Sequence, residues 1–418
     1  MEAYAAVLLW AIPGFFVLVL IEIAYGHFSK KQTYTLMDTL ASLSSGMTNV
    51  IKDVLGLAFI LISYPFLLKY LSLIELESSL GVYIAAFIAI DFASYWIHRL
   101  NHKINIFWNQ HLIHHSSEEF NLACALRQSI SNLIGFSALF LIPAAFLGIP
   151  AEVIMTLSPL HLFAQFWYHT RHIGKLGILE YILVTPSQHR VHHAINPIYI
   201  DKNLAAIFCV WDRMFGTFQE ELESEPPVYG TLKPVQSWNP IWINFQHFWV
   251  LLRDAWHTKS WTSKLKIWFM PTGWRPIDVK DRFPLTTREN NPELRFNPHY
   301  NKNWKGVALF HFSLLVYMLI FLLGRFSEFE ASFQLSYGLL LMFSIFGFTA
   351  LMDFHTWAPR FEQFRGIIGL VFLFIPQHQL LLEAYPLSQV IFTLYFISSL
   401  IIGFWARKHA RQRRFVLN

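Results

Sequence analysis

Thiol chemistry is nearly absent from this chain. Its 418 residues include two cysteines, Cys124 and Cys209, far apart in sequence. They imply no disulfide framework, and no CxxC pair exists to form a redox or thiolate–metal site, so any metal must be held by other side chains. Charge is scarce as well. Lys, Arg, Asp and Glu make up 14% of the residues against a hydrophobic share of 54%, and mean hydropathy is +0.38. Such a chain has too little polar material for an ordinary water-soluble domain. The first apolar stretch lacks both a basic leader and a small-residue cleavage site, which reads as a retained helix instead of a signal peptide. No low-complexity segment or convincing internal repeat is evident.

Long apolar runs dominate what is there. Runs near 3–25, 80–97, 130–147, 153–167, 306–323, 335–352, 367–382 and 389–405 approach or exceed the length a membrane helix needs, about 18 residues. A ninth, 54–74, carries Lys69 near its end. The expected fold is therefore all-α, a polytopic membrane protein of about nine transmembrane helices. Four regions follow: membrane helices over 1–80, a histidine-rich core over 81–220, a cytoplasmic or interfacial region over 221–304, and C-terminal spans with a basic tail over 305–418. The segment "IWINFQHFWVLLRDAW" reads as an amphipathic interfacial helix. If the first helix runs inward, nearly all Lys and Arg fall on one side, which places the C-terminus and the core's polar face in the cytoplasm. A bacterial inner membrane and an endoplasmic reticulum read alike. The basic tail adjoins a final apolar helix, so its expected partner is anionic lipid and not nucleic acid.

The chain has 19 histidines, and most lie between 98 and 193. "HRLNH" places His98 and His102 four apart. "HLIHH" places His111, His114 and His115 at i, i+3 and i+4, and "HRVHH" repeats that spacing with His189, His192 and His193. Between them His161, Gln165 and His169 recur every fourth residue, followed by His172. One such pair is more often a polar helix face than a ligand pair. Three groups at the ends of membrane helices are harder to explain, because crowded imidazoles resist both desolvation and charging. A metal relieves that, and eight or nine nitrogens exceed one ion's needs, so a binuclear site follows. An all-imidazole shell does not itself separate iron from zinc. A redox-active iron pair suits an apolar, membrane-held substrate better than hydrolytic zinc does.

Other residues carry two readings each. Asp91 shares roughly the face of His98 and is a candidate partner for a ligand histidine, or else a polar contact between helices. Asp201 and Asn203 in "IDKN" are candidates to orient ligand histidines, or turn residues. Glu118 and Glu119 read as helix-start charges ahead of metal ligands. Glu180 stays undecided between orienting a ligand and pairing with a cation. Arg127 reads either as a headgroup contact or as a snorkelling cation. A histidine-lined metal transporter would spread ionisable groups along a path through several spans. Here they gather at one membrane face.

The words "DFASYWIHRLNH", "HLIHHSSEEFNLACALRQS", "QFWYHT", "LGILEYILVTPSQHRVHH" and "IDKNLAAIFCVWDRMFGTF" resemble the fatty acid hydroxylase/sterol desaturase superfamily of membrane di-iron enzymes. Within it, the flanking words and C-terminal helices are most similar to the alkylglycerol monooxygenase family. The resemblance implies that His98, His102, His111, His114, His115, His189, His192 and His193 are iron ligands, with His169 a ninth. It leaves His161 and His172 as further metal or orienting candidates. It makes the di-metal centre itself the catalyst, O2 the cosubstrate and tetrahydrobiopterin the soluble electron donor. The implied reaction is hydroxylation next to the ether oxygen of an alkylglycerol, giving a fatty aldehyde and a glycerol derivative. A fatty acyl, sterol or carotenoid hydroxylase or desaturase is the rival. Two departures stand out: Lys103 where an acid is expected, and Gln188 where a further histidine is expected. Lys103, Arg127 and Gln165 are the candidates for substrate or cofactor contact. The sequence assigns no oligomeric state.

Overall fold

The computed structural model describes residues 2–135, 137–288, 295–296 and 298–413, so the end of the basic tail lies outside the described residues. The chain is overwhelmingly helical; its only sheet among the described residues is a parallel pairing of Phe59–Ile60 with Ile134–Gly135. The principal helices are α1 (Glu2–Phe28), α2 (Leu36–Val54), α3 (Leu80–Lys103), α4 (Asn105–His115), α5 (Ala151–Phe163) and α6 (Pro186–His192). They continue with α7 (Pro240–His257), α8 (Lys302–Gly324), α9 (Ala331–Met352), α10 (Ala358–Phe374), α11 (Pro376–Glu383) and α12 (Pro386–Arg413).

Among the described residues, five helices are long and apolar enough to cross a membrane: α1, α3, α8, α9 and α12. A sixth arises if α10 and α11, bent by 73° at their junction, form one broken span. The protein is thus an integral membrane protein, with five or six such helices among its described residues against the nine expected. The runs near 130–147 and 153–167 end up in two short helices, Ser137–Phe146 and α5, joined at Gly148, whose φ is +65°. The run at 54–74 breaks into the short strand and a Tyr64–Leu71 helix. Hydropathy counts side chains, whereas a span must also close its backbone hydrogen bonds. Pro65, Pro143 and Pro150 stand at helix starts where that ladder is broken, and Pro159 removes one donor within α5.

α3 starts where the Ser79 side chain accepts a hydrogen bond from Val82 N, and it ends at Ile104, whose extended backbone turns the chain directly into α4. Buried Asn105 holds this corner. Its Nδ2 donates to Ile267 O at 2.9 Å and Trp274 O at 3.0 Å, and its Oδ1 accepts from Gly273 N at 2.9 Å. The "GWRP" word therefore clamps the α3–α4 bend. α7 lies against α4 with Ile243, Val250 and Leu251 buried, while Trp249 and Trp256 are exposed.

Two apolar clusters flank the histidine core. One, around Leu315, Tyr337, Ile345, Phe392 and Phe396, unites α8, α9 and α12 with α2. The other packs α3 against the short hairpin through Ala86, Ala144, Ala145 and Val153. The late helices also contain charge that the apolar runs understate. Glu362 and Arg365 are paired and fully buried, with His311 Nε2 at 3.4 Å from Glu362.

Candidate metal centre

α3 delivers His98 and His102 from its last turns, α4 delivers His111, His114 and His115, and α6 with its C-cap delivers His189, His192 and His193. His169 comes from the segment after α5. The fold sorts these nine into two groups. His98, His102, His111, His115 and His192 form one, and His114, His169, His189 and His193 the other; within each, the candidate ligand atoms all lie within 4.8 Å of one another. The sorting follows helix geometry. Every i, i+4 pair stays in one group (98/102, 111/115, 189/193), whereas the i+3 residue of each HxxHH word crosses to the other group. Adjacent positions point about 100° apart around a helix, so one word serves two sites.

Protonation is set by what lies behind each ring. His98 Nδ1 meets Leu204 O at 2.8 Å, His192 Nδ1 meets Lys202 O at 3.0 Å, and His114 Nδ1 meets Arg127 O at 3.3 Å. His169 Nδ1 meets Gln165 O at 3.1 Å, and His102 Nδ1 meets Asp201 Oδ1 at 3.3 Å. Carbonyl and carboxylate oxygens only accept, so each of these nitrogens is the N–H and each Nε2 keeps a bare lone pair. These lone pairs converge. His169 Nε2 and His114 Nε2 are 3.4 Å apart, and His189 Nε2 lies 2.9 Å from His169 Nε2 and 3.0 Å from His193 Nε2. The Nε2 atoms of His102, His115 and His192 are buried without a hydrogen-bond partner among the described residues. Facing, unpartnered lone pairs are unfavourable unless a cation lies between them. The donor set therefore fits two imidazole-bound transition-metal ions, and iron and zinc both satisfy it.

Electrostatics agrees with that fit. Burial, reinforced by neighbouring imidazoles, holds His111, His114, His115, His189, His192 and His193 far below the ordinary histidine range. Burial lowers His169 to about 4, opposed by its two backbone acceptors. All are neutral at pH 7, the form that binds metal.

The "IDKN" segment positions three of these rings. Asp201 and Asn203 adopt left-handed backbone at φ 56° and 52°, which Asx residues tolerate. The resulting turn aims the Asp201 carboxylate, Lys202 O and Leu204 O at three different histidines. Burial raises the Asp201 carboxyl, but hydrogen bonds from His102 and Lys103 outweigh it and hold the group below the usual range. Lys103 Nζ lies 2.7 Å from Asp201 Oδ2, so the unexpected lysine is committed to the carboxylate behind His102. Asn203 touches no histidine. Its side chain locks the turn instead, donating to Gln188 O and Gln219 O and accepting from Gln219 N.

Other candidates lie elsewhere. Asp91 accepts from His161 Nε2 at 2.8 Å, Ile207 N, Phe208 N and Trp211 Nε1, so it fastens the 207–211 segment to α3 and touches none of the nine histidines. His161 spends its second nitrogen on Gln165, and neither His161 nor His172 belongs to either group. Gln165 is engaged with His161 and Tyr168, and only its main-chain oxygen reaches the site, behind His169. Arg127 is no headgroup contact. It is buried against Asp38 (2.6 Å), Ser42 and Ser116, and its carbonyl orients His114. Glu118 and Glu119 pair with Arg288 and Arg171. Glu180 accepts from Leu176 N and Thr185, while Gln188 Nε2 reaches Glu180 O at 2.7 Å, away from the rings. Sequence reasoning missed Asp212, which accepts from Leu204 N and Ala205 N and so fixes the carbonyl behind His98.

Comparisons with known proteins agree with this site. The fatty acid hydroxylase family model matches residues 83–217. An alkylglycerol monooxygenase from Xenopus tropicalis is 33% identical over 406 residues, covering 95% of this chain and 88% of that protein. The human alkylglycerol monooxygenase is 33% identical over 408 residues, covering 96% and 89%. An ornithine lipid hydroxylase from Rhizobium tropici is 29% identical over 128 residues, covering 31% and 39%. No solved structure matches the chain.

Proposed function

We propose, from the premise that this chain belongs to the alkylglycerol monooxygenase family of fatty acid hydroxylases, that it is a membrane di-iron monooxygenase cleaving the ether bond of alkylglycerols. The observation that carries this reading is the pairing of a five-histidine group with a four-histidine group, their lone pairs turned inward. When bound, an iron pair would supply O2 reduction and the oxidising power to place one oxygen atom in a C–H bond, the other leaving as water. The electrons come from a soluble donor, tetrahydrobiopterin by family resemblance. Hydroxylation at the carbon next to the ether oxygen yields a hemiacetal, which separates into a fatty aldehyde and a glycerol derivative.

The chain's own part is preparation. Leu204 O, Lys202 O, Arg127 O, Gln165 O and the Asp201 carboxylate each hold an imidazole N–H, which fixes the orientation of the ring and keeps its inner nitrogen basic. Burial keeps the histidines neutral. α3 carries the site to the end of a membrane helix, where a lipid tail reaches it from the bilayer and a reductant from the water. The proposed orientation puts this face and the end of α12 in the cytoplasm, consistent with the sidedness of Lys and Arg.

The test is incubation of detergent-purified protein with a labelled alkylglycerol, O2 and reduced pterin, alongside metal analysis. Fatty aldehyde release and close to two metal ions per chain, with iron required, are expected. Oxidation of a sterol or acyl chain without aldehyde release would transfer the protein to the rival reading, which the likeness to an ornithine lipid hydroxylase keeps specific. Zinc in overexpressed protein would not by itself indicate hydrolysis, because the same imidazoles bind it.

A further inference from the structure

A small cleft on the α3–α4 corner is lined by three carboxamides, Asn101, Gln110 and Asn132, with Ile97, Phe107 and Phe140 as apolar walls. Ile97, Asn101 and Gln110 directly precede His98, His102 and His111, three members of the five-histidine group. None of the three carboxamides has a hydrogen-bond partner among the described residues, in a region where almost every other polar side chain is committed. No charged residue lines the cleft. The nearest cations on α3 are engaged elsewhere, Arg99 with Tyr95 and Phe215 O, and Lys103 with Asp201. Beside the apolar wall Leu133, Ile134 and Leu139 are exposed.

We infer that Asn101, Gln110 and Asn132 bind the neutral hydroxyl-bearing headgroup of the lipid substrate, a deepening that rests on the ether-lipid reading above. The chemistry follows from the side chains. Each carboxamide offers both a donor and an acceptor, and so does each hydroxyl, so amides and vicinal hydroxyls satisfy one another fully. A phosphate or carboxylate needs cations or donors alone, and an uncharged cleft would leave its charge uncompensated. The enclosed part is about 40 Å³, room for the end of a small headgroup and not for a ring system. The alkyl chain then follows Phe140 and Ile134 outward, and the histidines that α3 and α4 give to the five-histidine group lie on the adjacent faces of those helices. Specificity for an unphosphorylated glycerol ether is thereby built into α3 and α4.

The experiment uses metal-loaded protein in nanodiscs, without O2 or reductant, so that binding is read apart from turnover. Radiolabelled 1-O-alkylglycerol and its 3-phosphate are the probes. Wild type should bind the alkylglycerol more tightly than the phosphate. Asn101→Leu and Gln110→Leu should each weaken alkylglycerol binding about tenfold, the size expected for leaving hydroxyls unpaired. Asn132→Ala, on an exposed loop, should weaken alkylglycerol binding and, in a separate assay with O2 and reduced pterin, raise KM with kcat little changed. Gln110→Lys should shift preference toward the phosphate, a gain that misfolding cannot produce. Unchanged affinities in these variants, with wild type still releasing aldehyde, would overturn the cleft alone. A wild type that releases no aldehyde overturns the ether-lipid reading and removes the cleft's occupant with it.

Discussion

Asp201 and Lys103 make one unit behind His102. The carboxylate accepts the His102 N–H at 3.3 Å and is itself neutralised by the lysine at 2.7 Å. Asp201→Asn keeps the volume but weakens the acceptor, so the imidazole becomes a poorer donor to metal. The expected loss is roughly 10–100-fold in metal affinity or activity. Lys103→Ala should cost far less, since Lys103 is about half exposed and touches no ring. Metal content per chain and aldehyde release distinguish the two; equal loss in both variants would refute a positioning role confined to the carboxylate. The same logic explains why Gln188 is harmless as a departure. Its amide turns back to Glu180 O, so a ligand at that position would face away from both groups.

At the scale of elements, helix phase decides the site. Four-residue spacing keeps two histidines in one group, and three-residue spacing sends the third to its neighbour, so α4 and α6 each serve both groups. Packing of the late helices depends on small residues instead. A Cβ at Gly369 of α10 would lie 2.1 Å from the Phe396 ring of α12, and one at Gly366 would lie 2.8 Å from Phe396 O. Close helix approach of this kind is how membrane helices gain contact. Gly369→Leu should therefore separate α10 from α12 and destabilise the bundle by about 1–3 kcal/mol or more. Gly306→Leu on α8, where an added Cβ meets nothing within 4 Å, is the matched control. Thermal unfolding in detergent reads the difference, and equal midpoints for the two variants would contradict the packing.

Across the whole molecule, acid is the shared weakness. His247, on α7, donates Nε2–H to Asn105 O at 3.0 Å, and burial lowers it to about 4, as burial does for His169. A histidine depressed in the folded state takes up its proton more readily when unfolded. Its contribution is complete above pH 6.5 and is lost as pH falls from about 6.5 toward 4. For His247 alone this amounts to roughly 3 kcal/mol at most. The metal-free protein should show an unfolding midpoint that is flat above neutrality and drops across that window. His247→Gln should make the drop shallower. Metal removal should expose this sensitivity at higher pH, because bound metal stabilises only the folded form. A midpoint independent of pH between 4 and 6.5 would refute the assignment.

The sequence by itself determined the membrane class, the family words and the nine histidines, because composition and spacing are local properties. Its nine apolar runs correspond to five or six span-length helices among the described residues, since hydropathy cannot register the helix starts at Pro143 and Pro150. Only the tertiary structure decided which histidine joins which group, and that Asp91 and Asn203 secure segments without touching any of the nine grouped histidines. It also decided the tautomers, for a physical reason no sequence can carry. Four of the five acceptors behind the rings are main-chain carbonyls, Leu204 O, Lys202 O, Arg127 O and Gln165 O, and every residue type offers the same one.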